Sequence, residues 1–268
     1  MGHVGIFRWI SIGIWALRVG ILPEAYRIYA MGRTKPGAGR GGKIMSTKPI
    51  LFSTPMVQAI LDGRKTMTRR VMNPQPPTGA SFLDLCDAMS INAVDRHGND
   101  YPKDVDGLYA TFEYDGWPEF PVFKSRYQPG DILWVRETWS PVHVRQRRYL
   151  YKADAENGGE GDGLPIRWRP SIHMPKEAAR IFLRVTDVRA ERLQDILCGD
   201  MQREGCIPKT VTGGQWQQWQ HDYWIPLWDS IYAERGNGWD TNPWVWVYSF
   251  ERVDKPAGWP GGEGEHGH

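Results

Sequence analysis

Residues 63–70, Gly63-Arg64-Lys65-Thr66-Met67-Thr68-Arg69-Arg70, gather one amine, two hydroxyls and three guanidiniums in eight positions. Two kinds of chemistry use such a mixture. One is the grip of a phosphate or a polar base, for which a guanidinium offers two parallel donors. The other is a nucleophile beside a base. A Thr hydroxyl attacks only when its proton is removed, and a Lys removes it only when burial or a neighbouring cation lowers the amine's pKa. The plain alternative is a polar turn running into a surface strand.

These groups need elements to place them. Ile50-Leu51-Phe52 reads as a short buried strand. Thr54 is set to cap a helix with Pro55 at its first position, and Val57, Ile60 and Leu61 form its apolar stripe. Gly63 supplies the left-handed stop. Residues 66–71 then return to extended backbone, and Asn73-Pro74-Gln75-Pro76-Pro77 ends it. Positions three apart on a strand face opposite ways, so Lys65 can converge with Thr68 only from the turn after Gly63. Thr66, Thr68 and Arg70 then share a face.

A second cluster is Arg167-Trp168-Arg169-Pro170-Ser171-Ile172-His173-Met174-Pro175. Its interleaved basic and aromatic residues, pinned by prolines, suit phosphate contacts with a base stacked on Trp168. His173 can donate, accept or act as an acid near neutral pH; a lone His in such a loop more often serves its own backbone. Arg136 and Glu137 follow the turn Pro129-Gly130-Asp131 on a strand expected over 132–139. They read either as a cleft wall or as half of a buried charge pair. Arg145-Gln146-Arg147-Arg148 adds positive charge at what reads as a hairpin tip.

The remaining strands are expected near 149–153, over 179–188, where Ile181, Leu183 and Val185 alternate with Arg184 and Thr186, and over 244–253. Both faces of that last strand start apolar, the mark of an interior strand. A helical region spans 193–205. Trp216, Trp219 and Tyr223 fall at helical spacing, interrupted by Pro226, and these Trp-rich helices read as core. Residues 79–126 are weakly periodic and read as a long surface insertion.

The chain has 268 residues with 41% hydrophobic and 24% charged content, typical of a globular protein, and a net charge of +2 that does not announce a polyanion binder. Its three Cys, Cys86, Cys198 and Cys206, lack any CxxC pattern, which fits a reducing cytoplasm. The seven His form no HExxH or Cys/His array, so neither a built-in metal site nor a cofactor is expected. Glu265-His266-Gly267-His268 reads as a frayed tail within a disordered 255–268. Residues 1–45 differ from the rest. Between Arg8 and Arg18 the apolar run is about half of a membrane span, and a basic Gly-rich linker follows. Met45 reads as the native start, with the upstream residues an over-extended reading frame; a peripheral membrane helix is the rival.

The pattern Gly63-x-Lys65-x-x-Thr68-x-Arg70 after a short helix resembles the GxKxxTxR signature of the ASCH domain. Gly130-Asp131-Ile132-Leu133-Trp134-Val135-Arg136, the strand from Arg180, the helix with Glu204-Gly205 and the final aromatic strand follow in the family's order. The likeness covers about residues 48–253. With Lys48-Pro49-Ile50-Leu51-Phe52 and the 169–175 loop, it looks like long ASCH proteins of phages and prophages. The resemblance implies an α+β fold over 46–254, a small mixed β-barrel of the PUA type with peripheral helices. It further implies binding of RNA or a modified nucleoside, with Arg64, Arg70, Arg136, Arg167, Trp168, Arg169 and His173 as candidate contacts. In small ASCH enzymes that cleave N4-acetylcytidine the matching Lys and Thr are catalytic, with a Glu on a later helix. By position these are Lys65, Thr68 and Glu204, which makes a hydrolase, or a nuclease, the alternative. A phage accessory or assembly protein using the barrel as an interaction module is a further one.

Overall fold

A computed structural model describes residues 46–87, 107–114, 122–144, 147–155, 166–207 and 215–260. The expectations for residues 1–45, for Arg145 and Gln146 and for the last eight residues lie outside these. The class is α+β. The strands are β1 (Thr47–Leu51), β2 (Met67–Val71), β3 (Ser81–Asp87), β4 (Leu108–Glu113), β5 (Val122–Lys124), β6 (Ile132–Arg136), β7 (Trp139–Val144), β8 (Arg147–Tyr151), β9 (Phe182–Arg192) and β10 (Trp244–Val253). The helices are α1 (Thr54–Leu61), α2 (Lys152–Ala155), α3 (Cys198–Arg203), α4 (Trp216–Trp219) and α5 (Ile225–Tyr232). No helix among the described residues is long and apolar enough to cross a membrane.

The main sheet has five strands in the order β1-β6-β9-β10-β2, and β3-β4-β5 and β7-β8 form smaller sheets. β1 runs parallel to β6, and the other pairings are antiparallel. Among the described residues the main ladder ends on β1 and β2 and does not close into a ring of backbone bonds. Arg70 on the edge strand β2 donates to the carbonyl of Leu51 on the other edge strand, β1, over 2.8 Å, a bond made by a side chain and not by the ladder.

β10 is the interior strand its composition predicts. Trp244, Trp246, Tyr248 and Phe250 enter one core with Ile50, Phe52, Leu133 and Val185. Val245 and Val247 enter a second core with Trp224, Trp228 and Met201 beneath the late helices. A third core joins Trp134, Phe182, Met174 and Trp259.

Three local expectations change. Residues 79–126 are not simply a surface insertion: Ala80, Ala110 and Phe112 are buried in the first core, and Phe112 packs edge-on against Trp244 at 4.8 Å. Too few apolar positions sit in a row there for periodicity to reveal this. The strand from Ile132 does not run through to Trp139. It stops at Arg136, and β7 joins another sheet, because Glu137 turns inward to an ion pair. Pro226 does not interrupt the Trp-rich helix. A wide turn over Gln220–Trp224 sends the Ile225 N–H back to the Gln220 carbonyl, five residues earlier, and the chain passes through Pro226 in helical form. Trp224 and Trp228 are core as expected, whereas Trp216 is exposed.

Candidate functional site

Each part of the Gly63–Arg70 segment is placed by local chemistry. The cap position of α1 falls on Ser53, whose side chain makes no capping bond, and Thr54 is the first helical residue, followed by Pro55. Gly63 adopts φ 73° and stops the helix. The N–H groups of Arg64 and Lys65 then both return to the Ala59 carbonyl at 2.9 Å, so Lys65 lies in the turn, before β2 begins. Thr66 stitches three elements together: its N–H donates to Arg203 O at the end of α3, and its carbonyl accepts the Phe250 N–H of β10.

Glu204 arrives from the far side. It caps the C-terminus of α3, followed by Gly205 at φ 72°. A Cβ on Gly205 would stand 2.8 Å from Ala59 Cβ and 2.9 Å from Lys65 Cβ. Only glycine permits both the left-handed turn and this approach, which delivers Glu204 onto Lys65. The Lys65 Nζ donates to Glu204 Oε2 and to the Glu204 carbonyl, each at 2.8 Å. Both residues are buried, so Glu204 is not the solvated helix carboxylate that a single acidic residue usually is. Burial holds the Lys65 amine below the ordinary lysine pKa, Arg70 pushes the same way, and Glu204 opposes them.

Thr68 is buried on β2 opposite Tyr248, and Arg70 lies opposite Trp246, so both face the first core as the alternation requires. The Phe52 ring ties the segment together: Lys65 Nζ is 5.5 Å and Arg70 Cζ 5.3 Å from its centroid. Lys65 and the Thr68–Arg70 face therefore meet on the Phe52 side of the sheet. Arg64 points elsewhere. Its guanidinium donates to the carbonyls of Gly205 and Ile207 and to Asp62.

The second cluster connects to the first through β1. Arg136 pairs with Leu51 in the β1–β6 register, and Leu51 O accepts from Arg70. The Arg136 guanidinium donates to the carbonyl of Ile172 and lies 5.5 Å from the Trp134 ring centroid, while its buried Nε makes no hydrogen bond. The loop is seated by Arg169, which exchanges backbone bonds with Trp139 and covers that ring, and by buried Met174. Arg167, Arg169 and His173 stay exposed, with Trp168 half-buried. Glu137 follows the second of its two readings. It is buried and accepts from Arg180 at 2.9 and 3.0 Å; burial raises its pKa and Arg180 opposes the rise.

Arg69 was not among the candidate residues. Its side chain is wholly buried and contacts Glu191 and Asp200 at 2.6 Å and Glu204 Oε1 at 3.3 Å. The signal was present: Met67, Arg69 and Val71 alternate onto one strand face, and a guanidinium between two apolar residues on a buried face requires acids around it. Among the described residues no group of three or more His, Cys, Asp or Glu is placed to hold a metal ion.

Comparison of the chain with models of protein families, with curated proteins and with solved structures found no match in any of the three.

Proposed function

We propose that this is an ASCH-type protein, with a PUA-like barrel whose seam lies between β1 and β2, that binds RNA or a modified nucleoside in the cytoplasm. The ligand contacts Arg70 at the motif and extends along Arg136 to the 167–173 loop. The observation that carries this reading is the continuous path from Arg70 through Leu51 to Arg136 and Ile172. It lines up cations and aromatic rings, which is what a phosphate backbone and its bases require. The test is titration of the protein with fluorescent single-stranded RNA at several salt concentrations. A salt-independent signal, or no binding at low salt, would remove the reading.

One observation favours a second reading, hydrolysis of an N4-acylated cytidine. The amine of Lys65 is buried, burial lowers its pKa, and it donates two hydrogen bonds to Glu204. A lowered pKa favours the form whose lone pair can accept a proton. In this scheme Lys65 takes the proton of the Thr68 hydroxyl while the Thr68 oxygen bonds to the acyl carbon. The C–N4 bond then breaks, and N4 takes the proton back from Lys65 as cytidine leaves. Lys65 then takes a proton from water as its oxygen bonds to the acyl carbon; the bond from that carbon to the Thr68 oxygen breaks, Lys65 returns the proton to Thr68, and the carboxylic acid leaves. Incubation with N4-acetylcytidine, followed by chromatography of released cytidine, decides it. Turnover that survives Lys65→Ala and Thr68→Ala sinks the scheme.

A further inference from the structure

We infer that Arg69 is a positioning residue for the Lys65–Glu204 pair: it holds one Glu204 oxygen so that the other meets Lys65, and its charge disfavours the ammonium form of Lys65. The inference rests on the reading of Lys65 as the proton acceptor, and it concerns a residue outside the GxKxxTxR pattern.

The geometry is a relay of alternating charge. Lys65 Nζ is 2.8 Å from Glu204 Oε2, and Arg69 NH1 is 3.3 Å from Glu204 Oε1. The same guanidinium is fastened from behind by Asp200 at 2.6 Å and by Glu191 at 3.0 and 2.6 Å. Asp200 is itself held by Arg189 at 3.1 Å and Arg203 at 3.3 Å. Arg69 is thus anchored on α3 and β9 while it reaches Glu204, so a swing of the carboxylate gives up its bond to a fixed guanidinium. Around Lys65, Glu204 and Cys206 favour the ammonium form and Arg70 disfavours it, while Arg69 stands on the far oxygen of Glu204. Glu204 alone would favour a protonated Lys65, since an opposite charge stabilises an ion. Burial is the largest opposing effect, and Arg69 on the other oxygen adds to it by drawing negative charge away from the side that meets Lys65. Trp224, 5.9 Å from the Arg69 guanidinium, closes this region from the helix side.

The inference predicts shifts of opposite sign. Arg69→Gln removes a positive charge beyond Glu204 and raises the Lys65 titration midpoint. Glu191→Gln removes a carboxylate that partly neutralises Arg69, and lowers it. The shift in Arg69→Gln is on the order of one pH unit, and that in Glu191→Gln, one charge farther from Lys65, is smaller. Arg69→Lys keeps the charge and restores most of the native midpoint.

The measurement is the Cε chemical shift of Lys65 across pH in full-length, 13C-lysine-labelled protein, assigned with Lys65→Arg. Opposite shifts in the two Gln variants support the inference; equal midpoints in all forms overturn it. If Arg69→Gln does not fold, the downward shift in Glu191→Gln carries the test alone, and its absence overturns the inference. With N4-acetylcytidine, the acid limb of the rate profile moves in step with the Lys65 midpoint. Opposite shifts in a protein without turnover support the role of Arg69 and remove the hydrolase reading instead.

Discussion

Lys65 Nζ lies 2.8 Å from Oε2 of Glu204 although 139 positions separate the two residues in the chain. Both are buried, so neither charge has water as an alternative partner. Removing one partner of a buried pair costs up to about 3–5 kcal/mol when the other is left unpaired. Glu204→Leu is expected to lower stability by about that much in urea unfolding, and Lys65→Met by less, because Arg69 still holds Glu204. The double variant recovers more than half of the summed loss, because Arg69 keeps Glu191 and Asp200. Additive losses would show that the pair is not coupled.

Gly205→Ala tests how the pair is assembled. The new Cβ would meet Ala59 Cβ at 2.8 Å and Lys65 Cβ at 2.9 Å, at a residue with φ 72°. Overpacking and left-handed strain together are expected to cost about 2–4 kcal/mol. The measured outcome is a lower urea midpoint, with any nucleoside binding lost in parallel. A neutral substitution would mean that α3 does not close on the α1 turn as described.

Arg70 and Arg136 are expected to contact phosphates. Arg70→Gln and Arg136→Gln should each weaken RNA binding and reduce the slope of log affinity against log salt by about 0.7. Arg64→Gln should leave the slope unchanged, since that guanidinium is occupied by Gly205 O, Ile207 O and Asp62. Fluorescence anisotropy at graded salt distinguishes these outcomes.

Stability should fall in alkali. Burial, with Glu204 adding to it, pushes the Cys206 thiol from its ordinary 9.0 up to about 12. Burial likewise holds Tyr248 at about 12, above its ordinary 10.0. For such groups the folded state keeps a proton that the unfolded chain gives up. Their contribution is whole below pH 9 and is lost as pH rises towards 12. Cys206→Ala should therefore flatten the first part of the decline, seen as a smaller drop in denaturation midpoint above pH 9. An unchanged decline would indicate that the thiol already ionises in the fold.

Much of the site's frame was legible in the chain. Gly63 as a helix stop, Lys65 in the turn, Thr68 and Arg70 on one strand face and β10 as an interior strand all follow from near-neighbour rules: left-handed glycine, proline at a helix start, and a side-chain period of two. The buried side of 79–126 was not legible, because Ala110 and Phe112 gain their burial from the Trp244 side of the main sheet, which no local pattern reports.

Sequence alone determined which residues are in the motif, their order of presentation and the α+β class. Only the tertiary structure decided which of them meet. Glu204 faces Lys65 because Gly205 lets α3 pack on Ala59. Arg70 on one edge strand bonds the Leu51 carbonyl on the other, a contact that no local spacing encodes. Arg69 became the hub of three carboxylates because β2, β9 and α3 converge behind it. Spacing along a chain encodes the face a side chain occupies over a few residues, whereas the partner on that face is supplied by long-range packing and burial.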